Sequence, residues 1–164
     1  MPGYVIHLAV GRVYAENNKI KDLKDFERGI IEPDMLRDKV KSHYGPYSSQ
    51  PGLNQFLLIN GIPSSYDEGY FLHLVTDYLF YRKFLDRWDK TIYDDYDKLN
   101  DRIIKKYQIE VPKVIEEKVK FKSGETSILN EEDLYKFINS VGQINIRQMI
   151  LQKQLNWEEI TLEL

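Results

Sequence analysis

The sequence predicts an all-α fold, a multi-helix bundle in a single domain spanning residues 1–164. Three observations predict it. Apolar residues recur at helical spacing in most segments of the chain. The longest such element, from Ser65 to about Arg87, is apolar nearly all round and so reads as a buried central helix. With 164 residues and 42% hydrophobic content, the chain can build one sizeable core but not two comfortable ones.

Taken in order, Tyr4 to Tyr14 carries Val5, Leu8, Ala9 and Val13 near helical spacing, and Asn17-Asn18 supplies a stop. From Leu23 to Gly45 the breakers Gly29, Pro33, Gly45 and Pro46 predict an irregular stretch, with a helical turn or two over Met35 to Val40. After the turn-rich YGPYSSQPG, Leu53 to Ile59 reads as a short helix closed by Asn60-Gly61. Ser64 or Ser65 caps the central helix, and Asp67 and Glu68 suit its first turn. A further helix from about Ile92 to Tyr107 places Tyr93, Tyr96, Leu99, Ile103 and Ile104 toward the central one. Between Val111 and Ser127, Val119 and Phe121 alternate with Lys120 and Lys122 ahead of Ser123-Gly124, the pattern of a small β-hairpin. Asn130, followed by Glu131, Glu132 and Asp133, opens a helix through Ile138, and Ile144 to Leu155 forms the last.

Composition narrows the function. The 26 acidic and 23 basic residues leave a net charge of -3, which offers no general attraction to nucleic acid or an anionic membrane. No duplex nucleic acid is expected as a partner. The opening MPGYVIHLAVGR has neither a basic stretch nor a cleavage site, so a cytoplasmic location is expected. The most apolar run, Tyr70 to Leu85, is interrupted by His73, Asp77, Arg82 and Lys83, and no transmembrane segment is expected. The absence of cysteine removes thiolate ligands and nucleophiles, leaving the three histidines and the carboxylates for metal chemistry. GxGxxG, GK[ST] and GxSxG patterns are all missing, which disfavours nucleotide-triphosphate and serine-hydrolase chemistry.

His73 and Asp77, four residues apart, leave one face of the central helix about a turn apart and can hold one ion. The bland alternative is a histidine hydrogen-bonded to a carboxylate within a helical core. Burying an unpaired carboxylate costs about several kcal/mol, and no Lys or Arg lies within a turn of Asp77 on its own stripe. Asp77 therefore needs a cation from elsewhere. His7 and His43 also lie in apolar or turn-like segments rather than on solvated faces.

The order of MPGYVIHLAVG, GIIEPDM, KSHYGP and GYFLHLVTDY along the first half of the chain resembles the zinc-dependent phospholipase C family, which shares its fold with single-strand nucleases. The resemblance implies that Asp34, His43, His73 and Asp77 bind one zinc ion, and that Asp77 bridges to a second held in part by His7. It implies one or two ions, zinc in the first instance, although imidazole with carboxylate also suits iron or manganese. It further implies a phosphoester small molecule or lipid headgroup as substrate. Asp34, if it is not a tight ligand, is the residue able to orient the attacking water as general base. Removal of Met1 before Pro2 would place an amine five residues ahead of His7. The chain departs from the family in having no histidine after His73 for a third ion. The acidic group Asp94, Asp95 and Asp97 is the available substitute, against the plainer reading of a solvated helix face. Two other readings compete: an HD-type phosphohydrolase, which lacks here its adjacent His-Asp pair, and a non-catalytic metal-binding or sensing module.

Overall fold

The computed structural model describes residues 2–152 and Trp157. Among them it contains helices and no strand: α1 Tyr4–Asn17, α2 Leu23–Met35, α3 Lys39–His43, α4 Leu53–Ile59, α5 Ser65–Phe84, α6 Ile92–Tyr107, α7 Glu131–Gly142 and α8 Ile146–Leu151. Short 3-10 turns follow α5 (Leu85–Arg87) and α6 (Lys113–Lys118). No helix among these residues is long and apolar enough to cross a membrane. Met1 and the end of the expected last helix, residues 153 to 155, lie outside the described residues.

The all-round apolar pattern of α5 places it at the centre. Phe71, Leu72, Leu74, Val75, Leu79 and Phe80 are all fully buried, against α2 on one side and α1 and α4 on others. Its cap is Ser64, whose hydroxyl accepts from the Asp67 amide at 3.2 Å. Ser65 instead accepts from the Asp22 amide and ties the start of α2 to α5.

The segment expected to be irregular is the first correction. Leu23 to Met35 is one helix, capped by Asp22 on the Asp25 amide at 3.0 Å, with Pro33 in its final turn. Gly29 does not break it. A Cβ there would overlap the Tyr66 carbonyl, and one on Gly69 would overlap that of Phe26. The two glycines let α2 and α5 meet backbone to backbone, so Gly29 is a packing residue that local propensity misreads.

The expected hairpin is the second correction. Beyond Val119 the chain forms no strand before α7. Its polar groups are satisfied by α6: the Lys122 amide donates to the Asp97 carbonyl, Asn100 donates to the Lys120 carbonyl, and Arg102 to that of Gly124. Asp95, fully buried, accepts from the amides of Ser127, Ile128 and Leu129 at 2.7–2.9 Å. A side-chain clamp thus does the work of a ladder. Asp95→Ala leaves three amides short of an acceptor, at about 1–3 kcal/mol for each that water cannot reach. Its urea unfolding midpoint is expected to drop by the equivalent of about 2–4 kcal/mol in total.

The C-terminal helices match their caps. Asn130 accepts from the Asp133 amide and Asn145 from that of Gln148. Arg147 of α8 reaches the buried Glu68 of α5 at 2.6 Å, and Tyr14 of α1 donates to the other carboxylate oxygen at 2.7 Å. The charge of Glu68 is thereby neutralised, and three distant helices are joined.

Candidate metal centre

Four helices deliver five side chains to one point. His7 comes from the second turn of α1, Asp34 from the last turn of α2, His43 from the end of α3, and His73 and Asp77 from adjacent turns of α5. α3 is only five residues long and is held by its neighbours. Asp38 caps it, Tyr44 ends it in the left-handed region at φ 57°, and Tyr70 of α5 donates to the Ser42 carbonyl at 2.6 Å. Lys39 fixes the preceding bend by donating to the carbonyls of Asp34 and Leu36.

Asp34, His43, His73 and Asp77 each offer a ligand atom within 4.8 Å of every other, an arrangement that can hold a metal ion. The two carboxylates divide their oxygens. Oδ2 of Asp77 lies 3.0 Å from His43 Nε2 and 3.3 Å from His73 Nε2, whereas Oδ1 lies 3.1 Å from His7 Nε2. Asp34 repeats the division, with Oδ1 3.6 and 3.5 Å from His43 and His73 and Oδ2 3.9 Å from His7.

The far nitrogens of two histidines are already engaged. His73 Nδ1 lies 2.7 Å from the Ile30 carbonyl, and His43 Nδ1 lies 2.8 Å from the Ser42 hydroxyl and 3.1 Å from the Lys39 carbonyl. A carbonyl can only accept, so each Nδ1 carries a proton and Nε2 turns inward, the nitrogen through which a metal would be bound once its own proton is displaced. Nε2 of all three histidines, both oxygens of Asp77 and Oδ1 of Asp34 are buried without a hydrogen-bond partner. Six such atoms facing one another would be costly without a cation. They fit a divalent ion.

Electrostatics point the same way. Burial works against charge on His73, but Asp77 and Asp34 outweigh it and hold the imidazole up at about 10. His43 is also raised, burial again being outweighed by the two carboxylates. His7 is lowered, first by burial and then by His73, whose ring stacks on it at 3.6 Å and 6°. Asp77 is driven well below the usual carboxylate range, His73 and His7 overcoming the effect of burial. The cluster therefore presents ionised carboxylates that draw in positive charge, which a metal supplies more fully than a single proton.

Comparison with family models, curated proteins and solved structures finds no match.

All five residues singled out in the sequence converge here. Asp94 and Asp95 do not: Asp95 clamps the 127–129 backbone, and Lys122 with Lys98 holds Asp94 down at about 2. Asp97 sits 3.9 Å from Lys122. Sequence reasoning missed the supporting groups, namely Lys39, Ser42 and the Ile30 carbonyl. Lys39, five residues after Asp34, had a local signal of spacing; the Ile30 carbonyl had none, because it reaches His73 across 43 positions.

Proposed function

We propose that this protein is a metal-dependent phosphoesterase that hydrolyses a phosphoester at a zinc centre, with iron or manganese as chemically suitable replacements. The observation that carries the reading is the set of six buried, unpartnered ligand atoms shared by three histidines and two carboxylates. Their division supports two adjacent ions: His43, His73, Asp34 Oδ1 and Asp77 Oδ2 on one side, and His7, Asp34 Oδ2 and Asp77 Oδ1 on the other. Bound ions supply the positive charge that acidifies water and polarises a phosphoryl oxygen.

Asp34 is the residue placed to handle protons. Its side chain is 6% exposed, against 0–1% for the other four, so it is the least enclosed of the five. Where its Oδ2 is not taken up by an ion, that oxygen accepts a proton from the attacking water as the hydroxyl oxygen bonds to phosphorus. The proton then passes to the ester oxygen as the P–O bond breaks, giving an alcohol and a phosphate. Asp77, fixed in α5 and fully buried, holds the two halves of the cluster together.

The near-complete burial of four ligands also supports a second reading, a binding module that keeps its ion out of reach of substrate. One experiment separates them. Protein purified without a tag or chelator is expected to carry about two zinc ions, against about one in His7→Ala, and to hydrolyse p-nitrophenyl phosphate or its diester. Metal without hydrolysis of either ester would favour the binding module, and an absence of metal after reconstitution would end both readings.

A further inference from the structure

A lysine stands beside the metal centre, where its charge opposes an ion. Lys39 opens α3 and is half-buried. Burial lowers its pKa, Asp34 and Asp77 pull it up, and Lys118 adds to the lowering. An ammonium within electrostatic reach of both carboxylates also repels any divalent ion that they hold. As a mere bystander, Lys39 would weaken the centre.

Its hydrogen bonds show a different use. Nζ donates to the backbone carbonyls of Asp34 at 2.5 Å and Leu36 at 2.7 Å. Asp34 lies in the last turn of α2 and Leu36 is the C-cap, positions whose carbonyls have no partner inside the helix. Lys39 therefore caps α2 with a cation at the negative end of the helix dipole. Its own carbonyl lies 3.1 Å from His43 Nδ1, which also meets the Ser42 hydroxyl at 2.8 Å. The circuit then closes, because His43 Nε2 is 3.6 Å from Asp34 Oδ1.

We propose that Lys39 is the positioning residue of the metal centre: its ammonium holds Asp34 and its carbonyl holds His43, at the separation a shared ion needs. The inference rests on the metal centre and not on phosphoester hydrolysis. Two features make the restraint matter. Tying the Asp34 carbonyl at a helix end restrains the direction in which its carboxylate leaves the backbone. A five-residue helix does not hold its shape alone, so α3, which carries His43, depends on what anchors its first residue to α2. The sign of the effect is diagnostic. Removing the charge of a bystander lysine tightens zinc binding by relieving repulsion, whereas removing a positioning lysine weakens it.

The test measures zinc affinity of the wild type, Lys39→Met and Lys39→Arg by competition with a chelator, and records the imidazole nitrogen resonances of the zinc-saturated proteins. Lys39→Met is expected to bind zinc about 10- to 100-fold more weakly, the range for losing an outer partner of a metal ligand. Lys39→Arg should recover to within about threefold of the wild type, because a guanidinium can donate to the same two carbonyls. The His43 resonances should move in Lys39→Met, while those of His73, held by the Ile30 carbonyl, keep their place. If Lys39→Met does not fold, Lys39→Gln repeats the comparison with a neutral polar side chain, and the two roles still predict opposite signs. Zinc affinity unchanged or raised in the neutral variant would overturn the positioning role and leave the metal centre standing. Wild-type protein that takes up no zinc would overturn the centre and this inference with it.

Discussion

Asp77→Asn is expected to abolish metal binding while leaving the fold in place. The substitution keeps the shape of a fully buried side chain but removes the charge that touches all three histidines. Loss of even an outer partner of a metal ligand weakens binding by about 10- to 100-fold. Loss of the carboxylate shared by both halves of the cluster should cost at least two orders of magnitude. Differential scanning calorimetry checks it directly. At zinc a thousandfold above its Kd, the wild type gains about 4 kcal/mol of stability. For a chain of this size that is an upward shift of roughly 8–16 °C. Asp77→Asn should show almost none of it. An equal zinc-dependent shift in the variant would mean that the ion lies elsewhere.

The second large effect is structural. In Gly69→Ala the added methyl meets the Phe26 carbonyl oxygen, and in Gly29→Ala it meets that of Tyr66. These neighbours are backbone and cannot rotate aside. Overpacking costs about 1–3 kcal/mol where side chains can yield, and more where they cannot. The roughly 1 kcal/mol that alanine recovers in helix propensity is smaller, so a net loss of about 2 kcal/mol or more is expected. Thermal midpoints should fall by about 4–8 °C or more. Zinc affinity should fall as well, because α2 carries Asp34 and α5 carries His73 and Asp77, and forcing the helices apart widens the cluster. Gly11→Ala is the control. Its methyl would meet the Ile30 Cδ1 at 3.2 Å, the free end of a flexible side chain. A Gly69→Ala variant as stable as this control would refute the close approach.

How much of this was legible in the sequence follows from the range of each interaction. Helix α5 announced itself through an apolar pattern that no exposed helix tolerates, α6 through its period and α7 through its Asn130 cap, whereas α8 was expected from Ile144 and begins at Ile146, after a cap by Asn145 that the sequence reading did not mark. α2 was hidden because Gly29 and Pro33 look like breakers when only neighbours in sequence are weighed. The alternation of Val119 and Phe121 suggested a strand, yet Phe121 is 58% exposed and the segment's hydrogen bonds go to α6.

The sequence by itself determined the all-α class and, through the absence of cysteine, that a metal centre must draw on the three histidines and on carboxylates; His73 and Asp77 were marked by their helical spacing, whereas Asp34 was singled out only by the family resemblance. The pairing of His73 with Asp77 was local, fixed by the pitch of one helix. Only the tertiary structure decided that His7 and His43 face opposite oxygens of Asp77 and that carbonyls from α2 and α3 set two imidazole tautomers. The reason is physical. Periodicity and capping act within a few residues, whereas the aim of a side chain into a shared cavity depends on helix crossings set by close packing, and here on the contact at Gly29 and Gly69.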